Sequence, residues 1–490
     1  MYKKNVRVRF APSPTGHLHI GGLRSAIFNW LFAKHNNGLF LIRIEDTDKE
    51  RSTKEFEDSI LDSFKWMDIQ SDEPLIKQSD RNSEHKQLVQ KLIDSGKAYR
   101  CFCTQKIDCE ENNQEGGYSK YDRACLGRKI SEEDLKKPFA VRFKLPEFSS
   151  DTFKFDDLIY GQISFPVDQF DDFVIARSDG DPVYNFVVVA DDIFQKINFV
   201  IRGQEHLVNT PKQIMLYEAI GAQVPQFAHL PLILGPSGAK LSKREAAVSV
   251  LSYMQEGFLP EALLNYLVRL GWSHGDQEIF SRQELINLFE LKDVHRSGAI
   301  FDIHKLQWLN SVYIKERSDQ DILSYIVKWL DPDFSKNLSA VPAVAAGDLS
   351  DVVLTKSEGR GWSKEQILSF IGLYKERVKT LKELMTILIC LHEVPNFKDE
   401  DLQPWKSAET VNRLQMIENE LSGLVSWDIE SISTALKMLG TRLDIKFPMI
   451  AKPIRLALTG QVESPSIFEL LFLLSKNESL KRIARLKEIL

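Results

Sequence analysis

The stretch RFAPSPTGHLHIGG, residues 9–22, joins a predicted strand to a predicted helix through a loop that its prolines keep irregular. Residues 6–10 alternate apolar and basic side chains, as a strand does. After the loop, apolar residues recur at helical spacing and place Gly21 and Gly22 at the helix N-terminus. Backbone N–H groups and missing side chains there favour a bound phosphate. A glycine pair before a helix is nevertheless more often a cap or a tight packing contact.

A second strand is predicted at residues 39–42, LFLI, directly before the polar cluster RIEDTD at residues 43–48. A strand that is covered on both faces and ends in polar residues is typical of the carboxyl edge of an open parallel sheet. The order strand, helix, strand therefore predicts a doubly wound nucleotide-binding fold.

Length and composition narrow the class of protein. With 490 residues the chain is long enough for several domains, and 43% hydrophobic and 27% charged residues are ordinary for a soluble globular protein. No apolar run is long enough to cross a bilayer, and residues 384–391 predict a buried helix. Residues 1–10 lack the apolar core of a signal peptide, so we expect a cytoplasmic protein without membrane contact. The net charge of −6 argues against a globally basic nucleic-acid binder but leaves room for a local basic surface.

The pattern changes along the rest of the chain. Residues 84–191 combine cysteines, a polar loop and β-rich segments, which indicates an inserted module. Strands are predicted at residues 173–177, 184–190 and 199–202. Helical periodicity dominates from about residue 260 onward, and residues 339–347 are the best candidate linker.

A second informative segment is the turn-rich loop GPSGAKLSKR at residues 235–244, which carries Lys240 and Lys243. Such a loop is flexible and cationic enough to close over a polyphosphate. An isolated lysine-rich turn would more often be a solvated loop. Its occurrence together with the glycine pair of residues 21–22 favours the phosphate-binding interpretation.

Together these segments resemble the signature pair of class I aminoacyl-tRNA synthetases. HIGG at residues 19–22 resembles the HIGH motif, and KLSKR at residues 240–244 resembles KMSKS. Further motifs resemble the bacterial-type glutamyl-tRNA synthetase family, at residues 11–16, 43–48, 191–192, 200–203, 301–302 and 305–310. Gly22 stands where the wider superfamily has the last histidine of HIGH, a departure that is familiar in the glutamyl branch.

The resemblance implies an α/β fold, with a Rossmann-type catalytic domain, an inserted α+β acceptor-binding module and an all-α anticodon-binding region. The implied boundaries are 1–84 for the first catalytic half, 85–190 for the inserted module, 191–258 for the second catalytic half, 259–325 for a stem-contact helical domain and 326–490 for the anticodon-binding region. The family is expected to be monomeric.

The implied reaction is ATP-dependent activation of L-glutamate to glutamyl-adenylate, followed by transfer to the 3′-terminal adenosine of glutamate tRNA. ATP arrives with Mg²⁺, and tRNA is contacted at its acceptor stem and anticodon. Positioning and charge stabilisation supply most of the rate in such chemistry. The resemblance assigns the catalytic roles to His19, Lys240 and above all Lys243, and ATP binding to these three residues with Gly21 and Gly22.

Glutamate has two carboxylates and one ammonium group, and the planar fork of arginine suits a carboxylate. The resemblance implies Arg9 on the side-chain carboxylate, Arg202 near the α-carboxylate and Glu45 on the amino group. The remaining glutamate-binding residues that it implies are Ala11, Ser13, Tyr184 and Glu205.

Clustered cysteines between residues 101 and 125 predict a metal site rather than disulfides. Thiolates favour tetrahedral zinc. Relatives that carry zinc here use C-x-C, a later cysteine, and either a histidine two residues beyond it or a tyrosine four residues before it. Position 127 is glycine, so the resemblance implies a structural zinc held by Cys101, Cys103, Cys125 and Tyr121, with Cys109 as a rival fourth ligand. Reduced buried thiols without metal are the alternative.

Two other functions stay open. A glutaminyl-specific or broader-specificity synthetase is one, and charging of glutamine tRNA as well as glutamate tRNA is not decided by the sequence. A catalytically silent RNA-binding paralogue is another, although a complete amino-acid pocket argues against it. The basic tail at residues 476–487 indicates either a phosphate-binding helix or a solvated face. The helical C-terminal third argues against a bacterial glutaminyl relative, which would end in β-barrels, and against a tRNA-modifying relative, which would lack this third.

Overall fold

The computed structural model describes residues 5–103, 121–239, 249–330, 364–392, 395–460 and 466–490. The chain forms two compact units: Met1–Tyr253 with Pro260–Leu306, and Met254–Leu259 with Gln307–Leu490. Lys240, Lys243, Cys109 and the candidate linker 339–347 lie outside the described residues.

The first unit opens with the predicted strand–helix–strand order. It consists of β1 (Arg7–Phe10), α1 (Ile20–His35) and β2 (Leu39–Ile44). β1 and β2 pair in parallel with Val8 opposite Phe40, and β3 (Ile76–Lys77) pairs in parallel on the other side of β2. The doubly wound start of the fold is therefore confirmed.

Three further sheets follow in the first unit. The three-stranded antiparallel sheet contains β4 (Ala98–Cys101), β5 (Ala140–Phe143) and β8 (Val174–Ala176). The four-stranded sheet has the order β7 (Gly161–Pro166), β6 (Thr152–Asp157), β10 (Gln226–Leu230), β9 (Phe199–Gly203). Within it β10 runs parallel to both β6 and β9, and β7 is antiparallel to β6. Short strands β11 (Ile233–Leu234) and β12 (Ala299–Ile300) pair in parallel.

Helices cover these sheets. They are α2 (Lys54–Met67), α3 (Asn82–Asp94), α4 (Tyr184–Phe194) and α5 (Thr210–Ile220), then helices Pro260–Arg269 and Arg282–Leu288. Helices Val250–Gln255 and Ile303–Glu316 each begin in the first unit and end in the second. One hydrophobic core joins Leu41 of β2, Phe186 of α4, Val200 of β9 and Phe227 of β10. This shared core holds the strand ends that form the site in fixed positions.

The strand predicted at residues 184–190 is wrong, because this segment is the first part of helix α4. Three consecutive valines at residues 187–189 favour a strand by local preference. The helix instead buries Phe186 through Asp192 continuously. Packing on several sides therefore overrides the local preference of the valines.

The second unit is helical throughout its described residues, as predicted for the C-terminal third. Its helices are Asp319–Tyr325, Ile326–Leu330, Lys364–Tyr374, Leu381–His392, Asp399–Leu402, Ala408–Ser422, Ile429–Arg442, Pro448–Thr459 and Ile467–Ile489. The buried helix predicted at residues 384–391 is present. None of the helices that the structure describes combines the length and apolar character needed to cross a membrane.

The basic tail at residues 476–487 does not present one continuous basic face. Arg482 is buried and donates to the carbonyls of Leu391 (2.8 Å) and Leu458 (2.6 Å), which lie in the last turns of their helices. Lys487 pairs with Glu418. Because carbonyls in the last turn of a helix have no partner within it, Arg482 acts as a cap for two helices at once.

We predict that Arg482→Met destabilises the protein, because it leaves two helix-terminal carbonyls without their charged donor. The expected loss in the free energy of unfolding is about 3 kcal/mol. Denaturant unfolding of the full chain, followed by far-ultraviolet circular dichroism, measures this loss. Lys481→Met, at an exposed position of the same helix, is the matched control and should leave the transition unchanged. Equal effects of the two substitutions would contradict the capping role.

Candidate active site

A cavity of about 310 Å³ lies at the carboxyl ends of β1 and β9 and the N-terminus of α1. This is the edge at which open α/β sheets bind ligands. The lining includes nine residues expected from the sequence: Arg9, Ala11, His19, Gly21, Gly22, Glu45, Tyr184, Arg202 and Glu205. Ser13 is exposed and is not part of the lining. Lys240 and Lys243 lie outside the described residues.

His19 caps helix α1. Its Nδ1 accepts hydrogen bonds from the backbone N–H groups of Gly21 (3.1 Å) and Gly22 (3.2 Å). A Cβ atom at Gly22 would lie 2.9 Å from Leu18 Cδ1, so a side chain there would require the Leu18 side chain to shift. The N–H groups that the sequence predicts to be free for a phosphate are therefore engaged by the imidazole of His19. The glycine pair is thus capped by His19 and closely packed.

A buried ion network lies behind one wall of the cavity, to which its members Arg9 and Glu45 belong. Arg9 Nε donates to Asp192 at 3.0 Å, and Arg43 donates to Asp192 at 2.6 Å and to Glu45 at 3.1 Å. All four side chains are at most 6% exposed. Two guanidinium groups thus face two carboxylates, which meets the requirement that buried charges be paired.

Other polar groups complete this network. Gln195 Oε1 accepts from Arg43 at 2.9 Å, Tyr217 Oη donates to Asp192 at 3.3 Å, and Gln78 Nε2 donates to Glu45 at 3.4 Å. Among the described residues, no hydrogen bond engages the two terminal nitrogens of Arg9. The network therefore fixes the Nε edge of this guanidinium and leaves its other edge for a ligand in the cavity.

The pKa values of the two carboxyls in this network shift in opposite directions. Burial opposes the ionisation of Asp192, but the neighbouring Arg9 and Arg43 outweigh it and hold the pKa of Asp192 below its ordinary value. Burial raises the pKa of Glu45, although Arg43 and Arg9 act in the other direction. Of the two carboxyls, Asp192 is therefore the more firmly ionised.

Arg202 lines another part of the cavity and is 7% exposed. Its Nη2 donates to Thr210 Oγ1 at 2.8 Å and its Nε to His229 Nε2 at 3.2 Å. Nη1 is buried without a hydrogen-bond partner among the described residues. An unpaired buried donor is costly, so this nitrogen is suited to an anionic partner.

Tyr184 and His206 close the cavity on a further side. Tyr184 Oη and His206 Nδ1 lie 3.2 Å apart in a hydrogen bond. Burial, with the nearby Arg202, lowers the pKa of His206 to about 4. The imidazole is therefore neutral near pH 7 and does not add a charge beside Arg202.

A separate cluster joins the predicted metal ligands. The Sγ atoms of Cys101, Cys103 and Cys125 lie within 4.8 Å of one another. Tyr121 Oη lies 3.3 Å from Cys101 Sγ and 3.8 Å from Cys103 Sγ, and Arg142 stacks 3.7 Å from the Tyr121 ring. Three thiols and a phenol converging on one point form a donor set that can hold a tetrahedral metal ion.

The sequence alone assigns no role to Arg43 or Asp192, although both residues lie within family motifs. The usable signal was Arg43 itself, because an arginine in a strand covered on both faces must have a buried partner. One of its carboxylate partners, Glu45, is two residues away, but the other, Asp192, is 149 residues away along the chain, which local pattern does not reveal.

The low pKa of Asp192 predicts a pH-dependent contribution to stability. A carboxyl whose pKa is depressed by folding stabilises the protein fully above its unfolded pKa of about 4, and this stabilisation is lost as the pH falls through the folded pKa. The difference in the free energy of unfolding between the natural chain and Asp192→Asn should therefore shrink between about pH 5 and pH 3. Denaturant unfolding of both proteins at several pH values measures it, and a difference independent of pH would contradict the assignment.

Known proteins resemble this chain over nearly its whole length. Residues 5–308 match the family tRNA synthetases class I (E and Q), catalytic domain, and residues 338–487 match the anticodon binding domain. A glutamate–tRNA ligase of Thermodesulfovibrio yellowstonii is 44% identical over 485 residues, which cover 98% of this chain and 99% of that protein. A glutamate–tRNA ligase of Pelobacter propionicus is 41% identical over 488 residues, covering 99% and 98%.

Two solved structures are also similar to this chain over nearly its whole length. The crystal structure of a glutamate tRNA ligase from Elizabethkingia meningosepticum in complex with its amino acid superposes with a TM-score of 0.81 at 32% identity, covering 99% of both chains. The glutamate–tRNA synthetase of Elizabethkingia anophelis gives 0.79 at 31% identity, covering 99% of this chain and all of that one. The resemblance and the fold class inferred from the motifs are confirmed. The chain belongs to the glutamate–tRNA ligases of the class I tRNA synthetase family.

Proposed function

We propose that the cavity at the N-terminus of α1 is where this tRNA ligase makes glutamyl-adenylate from L-glutamate and ATP, and then passes the glutamyl group to the 3′-terminal adenosine of glutamate tRNA. The observation that carries the proposal is the placement of Arg9, Arg202 and Glu45 on the wall of one cavity. Two cations and one anion complement the two carboxylates and one ammonium group of glutamate.

Each group of glutamate has a partner with a physical reason. The terminal nitrogens of Arg9 take the side-chain carboxylate, since Asp192 holds only the Nε edge. Arg202 Nη1 takes the α-carboxylate, since it is buried and unpaired. Glu45 accepts from the ammonium group. Ala11, Tyr184 and Glu205 complete the pocket, and Ser13, which is exposed, acts only if the loop that carries it turns inward.

ATP occupies the remaining part of the cavity with Mg²⁺ on its phosphates. His19, Gly21 and Gly22 hold the nucleotide beside α1, and Lys240 and Lys243 bind the phosphates. A glutamate carboxylate oxygen attacks the α-phosphorus, the bond to the bridging oxygen breaks, and pyrophosphate leaves with that electron pair. The protein contributes orientation and positive charge where negative charge accumulates.

The same proposal extends to the other partners. The match of residues 338–487 to the anticodon binding domain supports tRNA contact by the second unit. Residues 85–190 contact the acceptor stem, and the boundaries 1–84, 191–258 and 259–325 divide the rest of the catalytic part. The proposed enzyme is monomeric and cytoplasmic.

The thiol cluster is proposed to hold a structural zinc ion. Cys101, Cys103 and Cys125 supply thiolates, and Tyr121 is the fourth ligand, because its Oη lies beside two of the sulfurs. When bound, zinc ties the end of β4 to the segment around residue 125. The proposed zinc ion is structural and has no open coordination position for a substrate.

The decisive experiment is tRNA charging with purified glutamate tRNA and glutamine tRNA transcripts, each assayed with glutamate and with glutamine. The proposed function requires glutamate attached to glutamate tRNA in the presence of ATP and Mg²⁺. Glutamate attached to both tRNAs would define a broader-specificity enzyme. No charging of either tRNA would leave an RNA-binding paralogue as the better explanation and would refute the proposal.

A pair of variants separates substrate binding from chemistry. Arg9→Lys should raise KM for glutamate about ten-fold or more, because a point charge replaces the second nitrogen of the fork. Lys243→Ala should lower kcat by about a hundred-fold or more with little change in KM for glutamate, because it removes charge stabilisation in the transition state. Steady-state charging kinetics measure both. The reverse pattern, with KM changed by Lys243→Ala and kcat alone by Arg9→Lys, would contradict the two roles.

The zinc proposal predicts about one zinc ion per purified chain. Cys103→Ser should lose the metal, and Tyr121→Phe should weaken its retention against a chelator, whereas Cys109→Ser should not. Elemental analysis with a graded chelator series measures retention. Loss of zinc in Cys109→Ser with normal retention in Tyr121→Phe would identify Cys109 as the fourth ligand instead. A metal-free natural protein after growth with zinc would refute the site.

A further inference from the structure

Three buried side chains lie in a row across the four-stranded sheet: Asp157, His229 and Arg202. Asp157 ends β6, His229 lies in β10, and Arg202 lies in β9. The parallel register places His229 directly opposite Arg202, and β10 is the strand between β6 and β9. Neighbours in register on adjacent strands point to the same face of the sheet. The topology therefore builds a transverse row that ends at the cavity.

The hydrogen bonds in this row have a defined direction. His229 Nδ1 lies 2.6 Å from Asp157 Oδ2, with both side chains 0% exposed. A carboxylate only accepts hydrogen bonds, so Nδ1 carries the proton and Nε2 has its lone pair free to accept. Nε2 accepts from Arg202 Nε at 3.2 Å. The tautomer that Asp157 selects is the one that lets His229 hold Arg202.

Asp157 is itself held firmly. Its Oδ1 accepts from the backbone N–H groups of Ile159 and Tyr160, both at 2.9 Å, in the turn after β6. Oδ2 is thereby directed at the imidazole. Thr210 Oγ1 accepts from Arg202 Nη2 and lies 3.0 Å from His229 Nε2. Two of the three guanidinium nitrogens are thus engaged by the protein, and Nη1 is the one that remains.

We infer that His229, oriented by Asp157, is a positioning residue that aims Arg202 Nη1 at the α-carboxylate of glutamate. Neither residue lines the cavity, so both act through Arg202. The inference rests on the proposed role of Arg202 in glutamate binding. His229 holds the Nε side of Arg202 through a neutral acceptor, so the contact adds no negative charge to that edge of the guanidinium.

The test is steady-state tRNA charging by the full chain, with KM measured separately for glutamate and for ATP. His229→Ala should raise KM for glutamate about ten-fold, the loss expected when a hydrogen bond to a charged group is removed, with KM for ATP unchanged. His229→Gln, which keeps an acceptor for Arg202 and a donor for Asp157, should restore most of the affinity. Asp157→Asn should behave like His229→Ala, because the imidazole can then present Nε2–H to Arg202.

Two further variants separate this positioning role from general damage. Asn265→Ala removes an equally buried polar side chain of the same unit that contacts Glu278 and Phe280 and does not line the cavity. It should lower stability without raising KM for glutamate. Arg202→Lys tests the proposed function itself and should raise KM for glutamate.

A raised KM in Arg202→Lys with a normal KM in both His229→Ala and Asp157→Asn would overturn the positioning role alone. An unchanged KM in Arg202→Lys would refute the assignment of Arg202 and this inference with it. Equal increases in KM for glutamate and ATP, or no rescue by His229→Gln, would identify a merely structural pair. If His229→Ala does not fold, His229→Gln and Asp157→Asn decide the matter.

Discussion

The carboxylate of Asp192, paired with the guanidinium groups of Arg9 and Arg43, is the interaction on which the arrangement of the site depends. It joins α4 to β1 and β2 in a region that excludes water. Without it Arg9 would have no carboxylate partner and Arg43 would keep only Glu45, and an unpaired buried charge costs several kcal/mol. A buried ion network of this kind adds little net stability compared with apolar packing. What it contributes is geometry, because Arg9 is held along one edge while its other edge faces the cavity.

Part of this arrangement follows from local sequence and part does not. Residues 6–48 predict strand, helix and strand correctly, because the apolar periodicity is clear and the prolines mark the loop. The motifs also indicate most of the cavity lining. Local pattern fails at α4, where the valines favour a strand and packing imposes a helix. Helix α4 continues past the predicted segment through the acidic pair at residues 191–192, and adjacent residues on a helix point about 100° apart.

The helical geometry of α4 gives those two acids different partners. Asp191 accepts from Arg81 at 2.8 Å and lies 2.7 Å from His85 Nε2, whereas Asp192 pairs with Arg9 and Arg43. The sequence shows only a doublet of like charges. Similarly, the basic tail contains lysines on the surface and one arginine that is buried as a double helix cap. Charge alone does not distinguish them, since the carbonyls that Arg482 caps belong to helices distant in sequence.

The cap on α1 has a consequence for selectivity among anions. Any anion that takes the N–H groups of Gly21 and Gly22 must first displace the imidazole of His19, which already accepts from both. The side chain is thus an internal competitor whose removal costs about 1 kcal/mol, the usual value of a helix cap. A small ion such as inorganic phosphate gains little else at this position and is discouraged. A nucleotide that also contacts the rest of the cavity can outweigh that cost, so an ordinary helix cap serves as a filter in favour of the larger ligand.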